Sequence, residues 1–417
     1  MFTCARLAPL TTMLLLAAAT AAAAQTDKPL RVGLIAPLSG GSADFGNSVR
    51  FGAELAVKEI NEVGGYLGRK LELVVRDDKA NPDEGRKAAE DLVLKEKVDY
   101  TIGYCNTGVA MKSLDVFQDN KHLLMVPCSQ GTAVTRKYPP AESMIFRVAP
   151  PDAINARFLV TDIVERRKLK KVAILADSTG YGDGGVKDIS AELAARGLKP
   201  VHVARFGLGV DSLVEPMKEA RAAGAEALVV YTVGPEQAAA VRSRAEMGWK
   251  VPYFAPWPLS FRSVLEQAGA EALEGTMMAQ SIIHDTANER RTAFLAGYYK
   301  HSSERHIGSL MAAAQSFDAV HLMLRAVWQT RGETSGPALK AALESLGRPY
   351  QGVVTTYAQP FSSADHDAFS ENMVWLGVWR KGEIGFYYPE DARLSGSVRR
   401  KRPLLADAAP KAVRPAP

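Results

Sequence analysis

Cysteine and an excess of either charge are both scarce in this sequence. The 417 residues include only 3 Cys, which excludes the disulfide-dense scaffolds of small secreted domains. The 51 basic residues nearly balance the 46 acidic ones, and a net charge of +5 does not by itself favour nucleic acid as a partner. Disorder of the whole chain is excluded as well, because 47% of the residues are hydrophobic. The length predicts two or three domains.

The signatures of common enzymes and metal sites are also missing. The sequence has no G-x-S-x-G nucleophile elbow and no G-x-x-x-x-G-K-[ST] phosphate loop. Its 7 His show no HEXXH or helical H-x-x-x-H spacing, so no metal site and no cofactor are predicted. Asp77 and Asp78 stand together at a strand end, where two carboxylates can bind metal or act as acid and base. A solvated turn before Pro82 is the favoured interpretation.

Hydrophobic runs of membrane-spanning length are absent, and the longest run is at the N-terminus. Arg6 precedes an apolar stretch over residues 10–24, which ends in three Ala before Gln25. This pattern predicts a cleavable signal peptide over residues 1–24 and a periplasmic protein. The alternative is an N-terminal membrane anchor, which is disfavoured because spanning a bilayer takes about 20 apolar residues.

Removal of a signal peptide would leave two cysteines, Cys105 and Cys128. Each follows a predicted strand, so the thiols could come within bonding reach if those strands are neighbours in a parallel sheet. An oxidising compartment would permit a disulfide between them. A disulfide and two free thiols remain alternatives at this point.

Strands and helices alternate along the chain in two similar units, which predicts an α/β fold with parallel sheets covered on both faces. The first unit has predicted strands at 31–36, 71–75, 100–103, 123–126 and 145–148, with helices at 47–63 and 83–95. The second has strands at 171–176, 201–206, 227–231 and 253–255, with helices at 186–195, 213–222 and 236–247. Helices at 287–300 and 310–330, with strands at 352–356 and 373–378, complete the two lobes.

The loops after the first strand of each unit carry matching residues. Phe45-Gly46 and Tyr181-Gly182 each place an aromatic residue and a glycine at a helix start. Ligands of open parallel sheets bind outside the carboxyl ends of the strands, so the two aromatic rings could hold a flat or apolar ligand between them. Local packing of both rings within their own loops is the alternative.

One glycine-rich segment imitates a nucleotide-binding motif. Residues 180–185, GYGDGG, match G-x-G-x-x-G after a strand and before a helix. Asp183 would face the pyrophosphate with the wrong charge, and Arg205 rather than an acid lies in the next strand. Nucleotide binding is therefore disfavoured.

Several blocks of the sequence, in order, resemble the periplasmic branched-chain amino-acid-binding proteins of ABC importers. They include RVGLIAPLSGGSADFG, YTIGYCNTGVA, LLMVPCSQGTAVT and KVAILADSTGYGDGG, and the similarity covers roughly residues 29–385. The resemblance implies a type I periplasmic-binding fold, with two doubly wound parallel-sheet lobes joined by three crossover segments. It divides the chain into lobe I, residues 28–149 plus 279–353, and lobe II, residues 150–278 plus 354–390. Residues 391–417 are then a disordered basic Ala/Pro tail.

The resemblance also implies which residues bind ligand. The family has an aromatic residue on the first loop, here Phe45, and a Tyr-Gly on the second lobe, here Tyr181. Donors for the ligand carboxylate follow the third and fourth strands of the first lobe. At these positions the chain has Asn106, Thr107, Ser129 and Gln130.

One position departs from the family pattern. Leucine-type binders place an acid there to pair with the ligand ammonium, whereas this chain has Trp257. An ammonium buried without a partner is costly, so the expected ligand is a small carboxylate without an α-amino group, aromatic or otherwise apolar. The alternative is that another acid, such as Glu236, takes the role. The family's small disulfide is also missing, because Ala80 stands where one Cys would be.

The resemblance implies a binding protein and not an enzyme. It is expected to act as a monomer that delivers its ligand to an inner-membrane ABC permease. The alternatives are binding of branched-chain amino acids, and service as a ligand-sensing subunit of a membrane receptor.

Overall fold

The computed structural model describes residues 28–284, 288–395 and 401–402. The predicted signal peptide, residues 1–24, lies outside the described residues, as does most of the predicted tail. Within the described ranges, no helix combines the length and the apolarity needed to cross a membrane.

The first sheet has five parallel strands in the order β2-β1-β3-β4-β5. Its central strand, β3, is buried along its whole length, and β1 beside it along nearly all of its length, as expected where helices cover both faces. The strands are β1 (Leu30–Ala36), β2 (Leu71–Asp77), β3 (Tyr100–Gly103), β4 (Leu124–Val126) and β5 (Ile145–Arg147). The helices between them are α1 (Ala43–Glu62), α2 (Pro82–Glu90), α3 (Thr107–Asp119) and the short α4 (Ala133–Arg136).

The second sheet has seven strands in the order β14-β13-β10-β9-β8-β6-β7. Strands β6 to β10 are parallel, and β13 and β14 add an antiparallel edge. The strands are β6 (Val172–Asp177), β7 (His202–Phe206), β8 (Ala227–Tyr231), β9 (Tyr253–Ala255), β10 (Met277–Gln280), β13 (Trp375–Arg380) and β14 (Glu383–Phe386). The helices of this part are α5 (Asp152–Val160), α6 (Gly180–Ala194), α7 (Val214–Ala222), α8 (Gly234–Glu246), α9 (Arg262–Ala268) and α10 (Ala270–Leu273).

The chain then returns to the first sheet before it finishes the second. The returning segment holds α11 (Glu289–Ser302), α12 (Leu310–Gln329), α13 (Gly336–Glu344) and the small ladder of β11 (Tyr350–Gln351) with β12 (Thr356–Tyr357). Helix α12 packs along α1 so closely that a Cβ on Gly52 would lie 2.2 Å from the carbonyl oxygen of Ala313. The chain thus passes between the sheets three times, and the predicted two-lobed α/β fold is confirmed. The exact lobe boundaries stay a prediction.

Some element boundaries differ from the predicted ones. The second-lobe helix expected at 186–195 begins at Gly180, because the side chain of Thr179 caps it by accepting from the Tyr181 N–H. The predicted disordered tail is wrong for residues 391–395. They belong to a last helix, α14 (Pro389–Ser395), whose first turn carries Glu390 and Asp391, favourable charges at a helix N-terminus.

Candidate functional site

The carboxyl ends of the two sheets face a common cavity of about 250 Å³. The loops after β1 to β4 supply one wall, and those after β6 to β9 supply the other. The first wall includes Ser42, Phe45, Ala80, Asn106, Thr107 and Gln130. The second includes Thr179, Tyr181, Leu208, Val233, Trp257 and Pro258. This is the position at which open parallel sheets bind ligands.

The loop that carries Phe45 is held in place by Asp77. The carboxylate of Asp77 accepts hydrogen bonds from the Leu38 N–H at 2.8 Å and the Ser39 hydroxyl at 2.7 Å. Asp78 points the other way and is fully buried, so the favoured interpretation of a solvated carboxylate pair is wrong for this residue. Burial raises the pKa of Asp78 to about 7. The two carboxylates thus separate into a loop anchor and a buried acid.

Helix α3 begins at the cavity, with Thr107 as its first residue. Asn106 stands at the N-cap position but makes no capping bond, and its Nδ2 donates to the Ser42 hydroxyl at 3.2 Å. Its Oδ1 is buried and has no hydrogen-bond partner. A helix start has N–H groups without partners inside the helix and a positive dipole end, so it suits an anion.

Of the two predicted donors after β4, only Gln130 lines the cavity. Its Nε2 is buried and has no hydrogen-bond partner. Ser129 is fully buried behind Thr107, and their hydroxyl oxygens lie 3.2 Å apart. Ser129 therefore supports Thr107 and is not among the described residues that line the cavity, and its predicted direct contact with a ligand stays a prediction.

On the second lobe, Tyr181 lines the cavity and packs against Tyr231, with ring centroids 5.0 Å apart. Its hydroxyl is buried without a hydrogen-bond partner, and burial raises its pKa well above the usual value. Two glycines of the GYGDGG segment allow close approach here. A Cβ on Gly185 would lie 2.1 Å from the Tyr231 ring, and one on Gly182 would lie 2.1 Å from the carbonyl oxygen of Asp177.

Trp257 closes the second wall. Its ring is 3% exposed and meets the Phe45 ring edge-on, at a centroid distance of 5.7 Å. Phe261 packs against both rings, 5.1 Å from each centroid. The Trp257 Nε1 is buried and has no hydrogen-bond partner. This side of the cavity therefore has an apolar surface with one N–H donor.

No acidic or basic side chain is among the described residues that line the cavity. Glu236, the alternative partner for a ligand ammonium, is buried in the first turn of α8 and lies outside the cavity wall. Its Oε1 accepts a hydrogen bond from the Gly209 N–H at 2.8 Å. The wall thus presents N–H and O–H donors and the amide oxygen of Asn106, but no carboxylate.

The two lobes touch around the cavity. The Phe45–Trp257 contact crosses between them. So do the hydrogen bond from the Thr132 hydroxyl to Asp188, at 2.5 Å, and that from the Ser263 N–H to Asp44, at 3.1 Å. The structure is therefore a closed arrangement of the lobes.

Cys105 and Cys128 are both buried, and neither forms a disulfide in this structure. Burial raises the pKa of each thiol, and the neighbouring Cys128 thiol adds to the rise at Cys105. Neighbouring strands β3 and β4 do bring the two residues together, as the sequence suggested. Of the two alternatives, the structure has the free thiols.

Several cavity residues were missing from the predicted site, among them Ala80, Leu208 and Val233. Each follows a strand that the sequence did indicate, so the carboxyl-end rule could have found them. Leu208 is 55% exposed, an unusual position for leucine, and it lies at the rim.

A larger groove of about 1010 Å³ lies on the outer face of the first lobe, where the ends of α1 and α12 meet. Its apolar residues stand in solvent, with Val63 84% and Trp328 62% exposed. It lies away from the carboxyl ends of both sheets. The smaller cavity between the lobes therefore remains the candidate site.

Two α/β lobes that close over a small cavity define the class of two-lobed ligand-binding proteins. A family model described as "Periplasmic binding protein" matches residues 29–383. The chain belongs to this family.

Relatives and solved structures agree with that assignment. A curated Leu/Ile/Val-binding protein homologue from Brucella melitensis is 33% identical over 214 residues, which span 51% of this chain and 56% of that protein. A Rhodopseudomonas palustris solute-binding protein in complex with benzoate has a TM-score of 0.75 at 21% identity, covering 86% of this chain and 95% of that one. A Streptococcus pneumoniae branched-chain amino-acid transporter substrate-binding protein in complex with isoleucine has a TM-score of 0.73 at 22% identity, covering 86% and 98%. At these identities the two structures show the fold alone.

Proposed function

We propose that this protein is the periplasmic solute-binding component of an ABC importer. Its ligand is a small carboxylate, aromatic or otherwise apolar, that lacks an α-amino group. Family membership supports export and binding, and the relatives' names support a transport role with a membrane permease as partner. Nothing in the cavity wall calls for catalysis, since its polar groups are hydroxyls, amides, one indole N–H and the Cys105 thiol, whose pKa is raised by burial.

One observation carries the proposed ligand class. Three donor-bearing atoms, those of Gln130, Tyr181 and Trp257, are buried at the cavity without hydrogen-bond partners, against one acceptor, the Asn106 Oδ1, and no carboxylate lines the cavity. Buried polar groups are normally paired, so these donors call for an acceptor supplied by the ligand. A ligand carboxylate supplies two acceptor oxygens, and the start of α3 favours its negative charge. A ligand ammonium would find no ionised partner in the wall.

The fold supplies the mechanism of capture. A ligand that contacts Gln130 on one lobe and Tyr181 on the other stabilises the closed arrangement over the open one. The Phe45–Trp257 contact crosses the same boundary and excludes water from the apolar part of the ligand. Closure thus buries the ligand and gives a permease one defined state to recognise.

Branched-chain amino acids are the second candidate, because relatives named for leucine, isoleucine and valine share about a third of the aligned residues. A thermal-shift panel separates the two. A ligand that binds only the folded protein raises its melting temperature. The panel compares benzoate, 4-hydroxybenzoate and 4-methylpentanoate with leucine, isoleucine, valine and phenylalanine. We expect shifts with the acids alone, and shifts with the amino acids alone would contradict the proposal.

A further inference from the structure

The amide of Gln130 is held from behind by a residue outside the cavity. Asn155, in the first turns of α5, is 2% exposed and donates from Nδ2 to the Gln130 Oε1 at 2.7 Å. The Gln130 side chain is 1% exposed, and its Nε2 is the buried cavity-side atom without a partner. An amide has one acceptor and one donor end, so fixing the oxygen toward Asn155 leaves the N–H₂ for the cavity.

Asp152 fixes the direction of this chain of hydrogen bonds. Its Oδ1 lies 3.4 Å from the same Asn155 Nδ2, and its backbone N–H donates to the Gln130 carbonyl oxygen at 2.7 Å. An Asn155 amide turned the other way would place its oxygen against the carboxylate oxygen, which is repulsive. Burial raises the pKa of Asp152 to about 7.

The amide on the opposite side of the cavity, that of Asn106, is not held in one orientation. The Asn106 Nδ2 donates to the Ser42 hydroxyl, and a hydroxyl can equally well donate to an amide oxygen. Asn106 can therefore present either end to a ligand. Of these two cavity amides, only that of Gln130 has its polarity set by a carboxylate.

We propose that Asn155, oriented by Asp152, is a specificity-determining positioning residue. It makes Gln130 an obligatory donor, so the ligand group at this place must be a hydrogen-bond acceptor. The inference rests on the proposed function and deepens it, because it assigns the carboxylate end of the ligand to Gln130. Asn155 itself does not touch the ligand.

The test reverses the orientation of the Gln130 amide and compares two ligands of nearly equal shape. In Asn155→Asp the new carboxylate accepts from Gln130, which turns its Oε1 toward the cavity. Benzoate, which only accepts, should lose at least tenfold in affinity. Benzamide, whose N–H₂ can donate to the turned oxygen, should lose less or gain. The benzoate-to-benzamide affinity ratio, measured by calorimetry, should therefore fall at least tenfold, whereas a purely structural fault would weaken both ligands alike.

A second variant covers the possibility that Asn155→Asp fails to fold, since it adds a carboxylate beside Asp152. In Gln130→Glu one oxygen keeps the bond to Asn155 and the other faces the cavity as an acceptor. The same fall in the ratio is expected. The matched control is Asn61→Asp, which breaks the Nδ2 bond to the Leu71 carbonyl oxygen at the far end of α1, about 25 Å along that helix. It should leave the ratio unchanged.

The outcomes separate the inference from the function. A wild-type protein that binds neither benzoate nor any other carboxylate overturns both. If the wild-type protein binds benzoate but the benzoate-to-benzamide affinity ratio is unchanged in folded Asn155→Asp or Gln130→Glu, only the proposed role of Asn155 is overturned.

Discussion

Two groups of buried polar atoms in this protein differ in whether they are satisfied. Asp318, on α12, is fully buried, and its two carboxylate oxygens accept four hydrogen bonds. The donors are the backbone N–H groups of Val353 and Val354 and the hydroxyls of Tyr350 and Tyr357. At the cavity between the lobes, in contrast, donor atoms of Gln130, Tyr181 and Trp257 have no partner.

The difference indicates what each group is for. A satisfied cluster fixes the segment between α13 and β13 to the core, and it offers nothing to a ligand. Donors left without acceptors cost free energy that the fold does not recover by itself. A protein that keeps several of them in one small cavity is organised to recover that cost on binding.

Breaking the satisfied cluster should have the largest effect on stability. Asp318→Ala leaves four buried donors without an acceptor, and we expect the free energy of unfolding to fall by about 3–5 kcal/mol. Urea denaturation measures it. Asp318→Asn, which keeps one acceptor oxygen, should lose less. Carboxylate affinity of the folded protein should not change, and a parallel loss of affinity would contradict the division into two roles.

Removing one of the unpaired donors at the cavity should lower ligand affinity and leave stability unharmed. Tyr181→Phe removes a hydroxyl that has no partner in the protein, so the melting temperature without ligand should hold or rise. Carboxylate affinity should fall at least tenfold, or about 1.4 kcal/mol, by titration calorimetry. The matched control is Tyr253→Phe, whose hydroxyl donates to the Gln237 Oε1 at 2.8 Å. That variant should lose stability and keep its affinity, and equal affinities in the two variants would remove Tyr181 from the site.

Asp78, the buried acid beside the first loop, should make the stability of the protein depend on pH. Burial raises the pKa of Asp78 to about 7, against about 3.9 in an unfolded chain. Between these values the folded state binds the extra proton. The contribution of Asp78 to the free energy of unfolding is therefore complete below pH 4 and is lost as the pH rises to 7. Asp78→Asn should show a smaller decrease in unfolding free energy from pH 5 to pH 8 than wild type does, by urea denaturation. An identical decrease would contradict the burial.

The smallest effect is expected at the two cysteines. In a chain that starts at Gln25, thiol titration should find two reactive groups under denaturant and slow reaction without it. Burial and the raised pKa of both thiols are the reasons. No reactive thiols under denaturant would mean that the disulfide forms after all.

Much of the fold followed from the sequence, because strands and helices alternate with clear periodicity and glycine-rich loops mark the turns between them. The same logic brought Phe45, Asn106, Thr107, Gln130, Tyr181 and Trp257 to the wall of one cavity. Each stands just after a strand, and the carboxyl ends of parallel strands meet at one edge. That these residues bind ligand stays a prediction.

The remaining features depend on side-chain direction, which sequence spacing does not contain. Ser129 and Gln130 are neighbours, yet one turns behind Thr107 and the other faces the cavity. Asp77 and Asp78 divide in the same way between a loop anchor and the core. Asn155 lies 25 residues from Gln130, so only the folded chain shows that one orients the other.

The central claim is that the cavity takes a carboxylate without an α-amino group, and matched ligands test it most directly. Calorimetric titration of wild type would compare 3-phenylpropanoate with phenylalanine, and 4-methylpentanoate with leucine. Each pair differs only in the amino group. We predict that the acid without the amino group binds at least tenfold more tightly in whichever pair fits the cavity. Tighter binding of the amino acid would contradict the claim and require an acid in the site to pair with its ammonium.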